Sequence, residues 1–168
     1  PFLARALAAH PRESYFYATK LPLWLCKTVE DAERIFNEQL AQAPGGYIDF
    51  YLCHSMVQAS FETMQRLDLF TLLDEKRKQG LIRNLGFSFH DTPEVLRNIA
   101  FAWPWDFGQL QLNYLDWTFL RGEEMYNILA QRGIPCFVME PVRGGRLADL
   151  GEEGNAILKA AAPTASIA

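Results

Sequence analysis

Short apolar runs alternate with longer amphipathic segments along the chain. Each run is rich in aromatic or β-branched residues and is bounded by Gly, Pro or polar residues, which is typical of a buried β-strand. The runs are Tyr15–Thr19, Tyr47–Cys53, Ile82–Phe87, Phe107–Leu112 and Ile134–Met139. Their first residues lie 25 to 35 positions apart, which is the length of a repeating strand–helix unit.

The segments between the runs contain helix start and stop signals. Thr28 is followed three residues later by Asp31, a spacing that resembles a capping box. The pattern also predicts one helix over Phe61–Gln79, with apolar residues at helical spacing and a basic end. Gly80 follows that end and can adopt the left-handed conformation that terminates a helix.

Five strand runs separated by helices predict a parallel sheet with right-handed crossovers. Two α/β architectures fit this order. One is an open, doubly wound sheet of five strands, which suits the length of 168 residues. The other is part of an eight-stranded barrel, which typically needs about 250 residues. The chain has no GxGxxG or Walker motif, and the segment after the first run, Lys20-Leu-Pro-Leu-Trp, cannot cradle a phosphate.

Composition and charge narrow the class of protein. Hydrophobic residues make up 49% of the chain, which is enough for one buried core. The net charge of −4 gives no support for nucleic-acid binding. No apolar run approaches the roughly 18 residues of a membrane span, and the start lacks the order of a signal peptide. The cysteines, Cys26, Cys53 and Cys136, lack metal-ligand spacing. We expect a cytoplasmic protein with reduced thiols and with no nucleic-acid or membrane partner.

Polar side chains follow the apolar runs, where both architectures concentrate their chemistry. Lys20 follows the first run and His54 the second, so neighbouring parallel strands would bring the two to one rim of the sheet. A nearby cation makes a phenol or thiol more acidic, and a neutral histidine can donate a hydrogen bond to a carbonyl. Such a pair needs a proton donor, and none is evident in this chain. The fourth run contains Gln109 and Gln111, and Ser88 follows the third.

Several strings resemble the successive core motifs of the aldo-keto reductase family. They are YFYATKLPLW, GYIDFYLCHSM, GLIRNLGFSFHD, QLQLNYLDW and GIPCFVMEPVRGGRLADL, in the family's order from about Ser14 to Ala168. The strings TKLPLW, GFSFHD and MEPVRGG resemble more narrowly the oxidoreductase branch with an iron–sulfur, ferredoxin-like tail. The resemblance implies a partial (β/α)8 barrel, with residues 1–168 forming a single segment that holds about strands three to seven of eight.

The resemblance also implies an activity. Members of the family transfer hydride from NADPH to a carbonyl, using an Asp, Tyr, Lys and His tetrad. Lys20 matches the tetrad lysine, which makes the tyrosine hydroxyl a better acid, and His54 matches the histidine that orients the substrate carbonyl. We therefore expect NADP(H) as cofactor and a small-molecule carbonyl compound as substrate.

Cofactor contacts follow from the same resemblance. Ser88 and Gln111 match positions that hold the nicotinamide carboxamide, and an amide partner suits both side chains. Met139 falls where an aromatic residue normally stacks on the nicotinamide ring. Arg143 and Arg146 flank two glycines, and their family counterpart is a loop near the cofactor diphosphate. The family usually has Asn after the motif's Ser, and this chain departs from it.

By this mapping, the tetrad Asp and Tyr precede Pro1, and the cysteine run of an iron–sulfur tail, CxxCxxCxxxCP, follows Ala168. We therefore expect the chain to be an internal segment that is inactive by itself. Its first and last strands would present open edges, which favours a homo-oligomer or another pairing partner.

Two alternatives stay open. One is a non-catalytic nicotinamide-binding barrel that serves as a sensor or subunit, as in the potassium-channel β subunits. The other is an unrelated flavodoxin-like protein with Ser88 and Arg146 near a phosphate. A sequential strand order indicates a barrel arc, whereas a doubly wound sheet has a switch point.

Overall fold

Five parallel strands form one sheet in the structure, a computed structural model that describes residues 2–164. The strands are β1 (Ala18–Pro22), β2 (Ile48–Met56), β3 (Ile82–Phe89), β4 (Phe107–Gln111) and β5 (Cys136–Met139). They pair in the order β1-β2-β3-β4-β5, and each pairing is parallel. This sequential order excludes a doubly wound sheet, in which the order reverses at a switch point.

Helices connect the strands. They are α1 (Phe2–Leu7), α2 (Val29–Leu40), α3 (Gln58–Arg66), α4 (Leu69–Lys78), α5 (Pro93–Ala102), α6 (Asp116–Phe119), α7 (Gly122–Gln131) and α8 (Gly151–Ala161). The predicted capping box of α2 is confirmed, because Thr28 Oγ1 accepts from the Asp31 amide and the Asp31 carboxylate accepts from the Thr28 amide. Among residues 2–164, no helix has the length and apolar character needed to cross a membrane.

The first strand begins three residues later than the pattern predicts, which moves Lys20 from the end of the strand to its middle. Contacts with side chains explain the shift. The Tyr15 carbonyl accepts from the Arg12 guanidinium at 3.0 Å, and the Tyr17 amide donates to Asp49 Oδ2 at 2.8 Å. The backbone before Ala18 is therefore bound by side chains at the base of the sheet.

The single helix predicted over 61–79 is wrong, because the chain forms two helices there. The break falls at Asp68, whose backbone is left-handed with φ 48°. It lets α3 pack on β2 while α4 packs on β3. Phe61 of α3 and Leu73 of α4 are both buried as a result. The predicted end of the second helix is confirmed by Gly80, which has φ 77°.

The sheet is strongly curved, with aromatic rings packed on its concave side. The ring centroids of Phe50 (β2) and Phe137 (β5) lie 5.2 Å apart, and those of Phe107 (β4) and Phe137 lie 4.7 Å apart. In a flat sheet, the three strand spacings between β2 and β5 would separate them by about 14 Å. Gly86 lies beneath Phe107, where an added Cβ would come within 2.6 Å of that ring. The curvature makes the sheet an arc of a barrel, as the resemblance implies.

A buried ion-pair network closes the base of this arc. Asp49 of β2 is only 2% exposed, and its carboxylate accepts from the Arg12 and Arg83 guanidiniums and from the Tyr17 amide. Both guanidiniums also lie against the Tyr47 ring, 3.9 and 3.8 Å from its centroid. Burial alone would raise the pKa of Asp49, but these donors outweigh it and lower the pKa. Because the network lies at the amino ends of the strands, its role is structural.

The Asp49→Asn variant is expected to lose about 3–5 kcal/mol of unfolding free energy, because it leaves buried guanidinium charge unpaired. Urea denaturation measures this change. The matched control is Glu38→Gln, since Glu38 pairs with Arg34 on the exposed face of α2. The control variant should change stability by less than about 0.5 kcal/mol. Similar small losses in both variants would contradict the structural role of Asp49.

Candidate active site

Lys20 and His54 lie on the concave side of the arc near the carboxyl ends of the strands. Lys20 is level with Leu52 in the register, so His54 lies two residues closer to the rim. Lys20 Nζ donates to Gln109 Oε1 at 2.7 Å, although their strands β1 and β4 are three strand spacings apart. The bond closes only because the sheet curves. Burial lowers the pKa of Lys20.

His54 is a half-buried imidazole in a cationic environment. Its pKa is lowered first by burial and then by the positive charges of Lys20 and His90. The Trp24 ring lies beside it, with the two ring centroids 4.9 Å apart. At neutral pH the ring is therefore neutral, which suits it to donate one N–H hydrogen bond to a polar ligand.

His90 is a third basic side chain near the same place. It follows β3 directly, and its pKa is lowered by burial and then by Lys20. In the sequence it follows the predicted run Ile82–Phe87 by three residues, but it was not assigned a site role. That position was the signal that could have identified it.

A bulge in β2, directly after His54, brings the Ser55 amide to Ser88. The register between β2 and β3 shifts between Cys53 and Met56, and Ser55 has a left-handed backbone with φ 54°. The Ser55 amide donates to Ser88 Oγ at 2.9 Å. Ser88 is fully buried, so its hydroxyl supplies the acceptor that the bulged strand lacks. The hydroxyl proton remains for a second partner.

The two glutamines of β4 have different partners. Gln109 binds Lys20, as described above, whereas Gln111 Nε2 donates to Asp116 Oδ2 at 2.9 Å. Both side chains lie on the concave side, because residues two apart in a strand share a face. The family resemblance gives a cofactor role to Gln111 alone, and the structure adds Gln109 through its bond to Lys20. Period-two alternation could have identified it as a second candidate.

The three site residues predicted in and after β5 have different surroundings in the structure. Met139 ends β5, half-buried and level with Gln111. Arg143 binds the carboxylate of Asp116 through both Nε and Nη2, so its guanidinium faces into the protein. Arg146 is exposed. Asp116 itself is fully buried, and sequence reasoning did not single it out.

The donors and acceptors on the concave side match an amide ligand. The Ser88 hydroxyl and the Gln109 amino group can donate, and the Gln111 carbonyl can accept. A nicotinamide carboxamide offers the complementary C=O and NH2 groups, so these residues fit it. Within residues 2–164, no cluster of three or more His, Cys, Asp and Glu side chains could hold a metal ion.

A sequential, curved arc of five parallel strands is part of a barrel of the (β/α)8 class, and the Lys–His pair lies near its carboxyl rim. The Aldo/keto reductase family model matches residues 1–165. The chain therefore belongs to the aldo/keto reductase family, as its motifs indicate.

Solved aldo-keto reductases share this fold. The thermostable aldo-keto reductase Tm1743, solved with the inhibitor epalrestat, is 23% identical with a TM-score of 0.70, and the match covers 98% of this chain and 58% of that one. A Brucella melitensis aldo/keto reductase is 18% identical with a TM-score of 0.68, covering 98% and 60%. The holo form of AKR11C1 from Bacillus halodurans is 21% identical with a TM-score of 0.67, covering 90% and 51%.

This chain thus spans somewhat more than half the length of the aldo-keto reductase structures that it matches. Among curated proteins it has no significant match.

The lowered pKa values of His54 and His90 predict a pH-dependent stability. In the unfolded chain a histidine titrates near pH 6.5. Between that value and the lowered folded-state pKa, the unfolded chain binds more protons. The stabilisation that the two histidines give to the folded state is therefore complete above about pH 6.5, and it is lost as the pH falls below that value. The pKa values of Asp49 and Asp116 are also lowered, so the stabilisation from these carboxylates is complete above about pH 4 and does not change between pH 7 and 5.

Urea denaturation between pH 7 and 5 measures this effect. The double variant His54→Gln, His90→Gln should flatten the decline in unfolding free energy over that interval. The control variant His10→Gln changes an exposed histidine and should keep the full decline. A decline unaltered in the double variant would contradict the lowered pKa values.

Proposed function

We propose that this chain supplies the lysine and histidine of the active site of an NADP(H)-dependent carbonyl reductase. The observation that supports the proposal most directly is the placement of Lys20 and His54 on one concave rim, beside amide and hydroxyl groups that suit a carboxamide. Family membership adds the reaction class.

Each residue has a role that follows from its surroundings. A bound reduced nicotinamide supplies a hydride to the carbonyl carbon of the substrate. Lys20 places a positive charge near the carbonyl oxygen, where negative charge develops. His54, neutral at pH 7, donates a hydrogen bond that orients this oxygen. In the family the proton comes from a tyrosine hydroxyl.

In this structure Lys20 Nζ binds Gln109 rather than a phenol. We therefore propose that the 168-residue chain alone does not turn over. The complete site would need the phenol and carboxylate that the family places on an earlier strand.

The cofactor contacts divide between two ends of the nicotinamide nucleotide. Ser88, Gln109 and Gln111 would hold the carboxamide, and Met139 would pack on the ring through its polarizable thioether. The loop after β5, which contains Arg143 and Arg146, would lie near the phosphates. NADP(H) is proposed over NAD(H) on the family resemblance.

A narrower proposal concerns the iron–sulfur branch. It rests on the strings TKLPLW, GFSFHD and MEPVRGG, which resemble the branch with a ferredoxin-like tail. The cluster ligands would be cysteines outside residues 1–168, since Cys26, Cys53 and Cys136 are far apart in sequence and, within residues 2–164, join no cluster of metal-ligating side chains. Iron and sulfide analysis of the complete protein tests this assignment.

The variant Lys20→Met in the complete protein should abolish NADPH-dependent reduction of aldehydes, with a loss of at least about a hundredfold, because it removes the charge that stabilises the oxyanion. NADPH oxidation followed at 340 nm measures the rate. The matched control is Lys27→Met, an exposed lysine seven residues later, which should keep normal turnover.

Undiminished turnover in Lys20→Met would contradict the catalytic assignment. An unaltered protein that binds NADPH without turning over any aldehyde would instead identify a non-catalytic barrel that acts as a sensor or subunit.

We also propose that the sheet edges are covered in the working protein. Within the described residues, β1 and β5 each pair on one side only, which leaves unpaired backbone groups. On the concave side, Phe16 is 78% exposed and Phe137 is 39% exposed. The missing cover is three further strands of a closed barrel or a second copy of the chain.

The 168-residue chain alone is therefore expected to self-associate at micromolar concentration, as measured by sedimentation velocity. Val138→Lys places a charge on the β5 edge and should reduce the association. Ile157→Lys changes an equally apolar, exposed residue of α8 and should leave it unchanged. A stable monomer with the native sequence would contradict this proposal.

A further inference from the structure

Asp116 is a buried charged residue that the reaction proposed above does not use. It is fully inaccessible to solvent, and four donor atoms surround its carboxylate. Oδ2 accepts from Gln111 Nε2 at 2.9 Å, from Asn113 Nδ2 at 2.6 Å and from Arg143 Nε at 3.1 Å. Oδ1 accepts from Arg143 Nη2 at 2.5 Å. A carboxylate that receives so many bonds has little capacity to bind a substrate directly.

The bond to Asp116 fixes the orientation of the Gln111 amide. The NH2 group of Gln111 donates to the carboxylate, which leaves the carbonyl oxygen as the free end of the amide. That end can accept from a ligand NH2 group. Without Asp116, the amide could rotate and offer either end.

The same carboxylate anchors the loop that follows β5. In this loop Glu140, Arg143, Gly144 and Gly145 all have left-handed backbones, a conformation that non-glycine residues rarely adopt unless other contacts impose it. Arg143 is bound bidentately to Asp116, and Asn113 Nδ2 donates to the Glu140 carbonyl at 3.1 Å. Both contacts come from the segment immediately after β4, 27 residues earlier in the chain.

We infer that Asp116 is a positioning residue for the cofactor site, which orients Gln111 and holds the loop after β5 through Arg143. The inference rests on the proposed function, since it assigns the ligand to a nicotinamide nucleotide. Arg143 is then a clamp within the protein, and the exposed Arg146 is the arginine of this loop that is open to phosphate. A bidentate pair with a buried carboxylate is costly to break, so Arg143 does not exchange Asp116 for a ligand.

The test combines NADP+ affinity with loop order in the complete protein. Asp116→Asn keeps the side-chain shape and removes its charge. It should weaken NADP+ binding about tenfold by calorimetric titration, because binding must then order Gln111 and Arg143. In the ligand-free protein, the Gly145 and Leu147 amides, which donate to the Val142 carbonyl, should exchange hydrogen at least about tenfold faster.

A double-mutant cycle separates positioning from general destabilisation. Arg143→Met should also weaken NADP+ binding about tenfold, and combining it with Asp116→Asn should add little, because both variants break the same clamp. The control is Asp149→Asn, an exposed aspartate in the same segment, whose effect should be small and additive with Arg143→Met. If Asp116→Asn does not fold, Arg143→Lys takes its place as a single variant in the affinity and exchange measurements, because lysine keeps the charge but loses the bidentate fork.

Unchanged loop exchange together with NADP+ affinity within about twofold would overturn the inference, as would additive effects of Asp116→Asn and Arg143→Met. If the loop responds as expected but the unaltered protein does not bind NADP+, the proposed function is wrong, and the assignment of Asp116 to a cofactor site falls with it.

Discussion

The curvature of the parallel sheet is the constraint on which the site depends. Aromatic rings from β2, β4 and β5 pack together on the concave side, and they can do so only if strands that are three spacings apart converge. The same convergence brings Lys20 of β1 within hydrogen-bond distance of Gln109 of β4. The packed rings lie on the same face of the sheet as Lys20 and Gln109, so the apolar contacts that bend the sheet also bring these polar side chains together.

Two buried carboxylates stabilise this arc, one at the amino ends of its strands and one at their carboxyl ends. At the amino ends of the strands, Asp49 joins Arg12, Arg83 and the backbone before β1. At the carboxyl ends, Asp116 joins Gln111 and the loop after β5 through Arg143. Both aspartates are almost inaccessible and have lowered pKa values despite the opposing effect of burial. Only the second lies where parallel α/β folds place their chemistry, which is why it bears on function.

The electrostatics of the rim suit a reaction in which oxygen becomes negative. Burial lowers the pKa values of Lys20, His54 and His90, and the charge of Lys20 lowers those of the two histidines further. A site of this kind favours an electron-rich ligand and keeps its histidines neutral, as hydrogen-bond donors, at neutral pH. Family membership and the fold agree with this chemistry, and the chain accounts for 51 to 60% of the length of the solved relatives compared above.

The local sequence and the tertiary structure determine different features of this fold and its site. Local signals determined the order of strands and helices, the capping box at Thr28 and the helix end at Gly80, because each depends on residues a few positions apart. Motif order identified the family, and it selected Lys20 and His54, which the structure places on the concave side of the arc. The sequence did not determine where β1 begins, since that depends on Asp49, 32 residues from Tyr17.

The local pattern of the sequence also could not show that Gln109 binds Lys20 or that Arg143 binds Asp116. Both pairs join side chains from distant segments, 89 and 27 residues apart, and they meet only after the sheet has curved and the loops have closed over its rim.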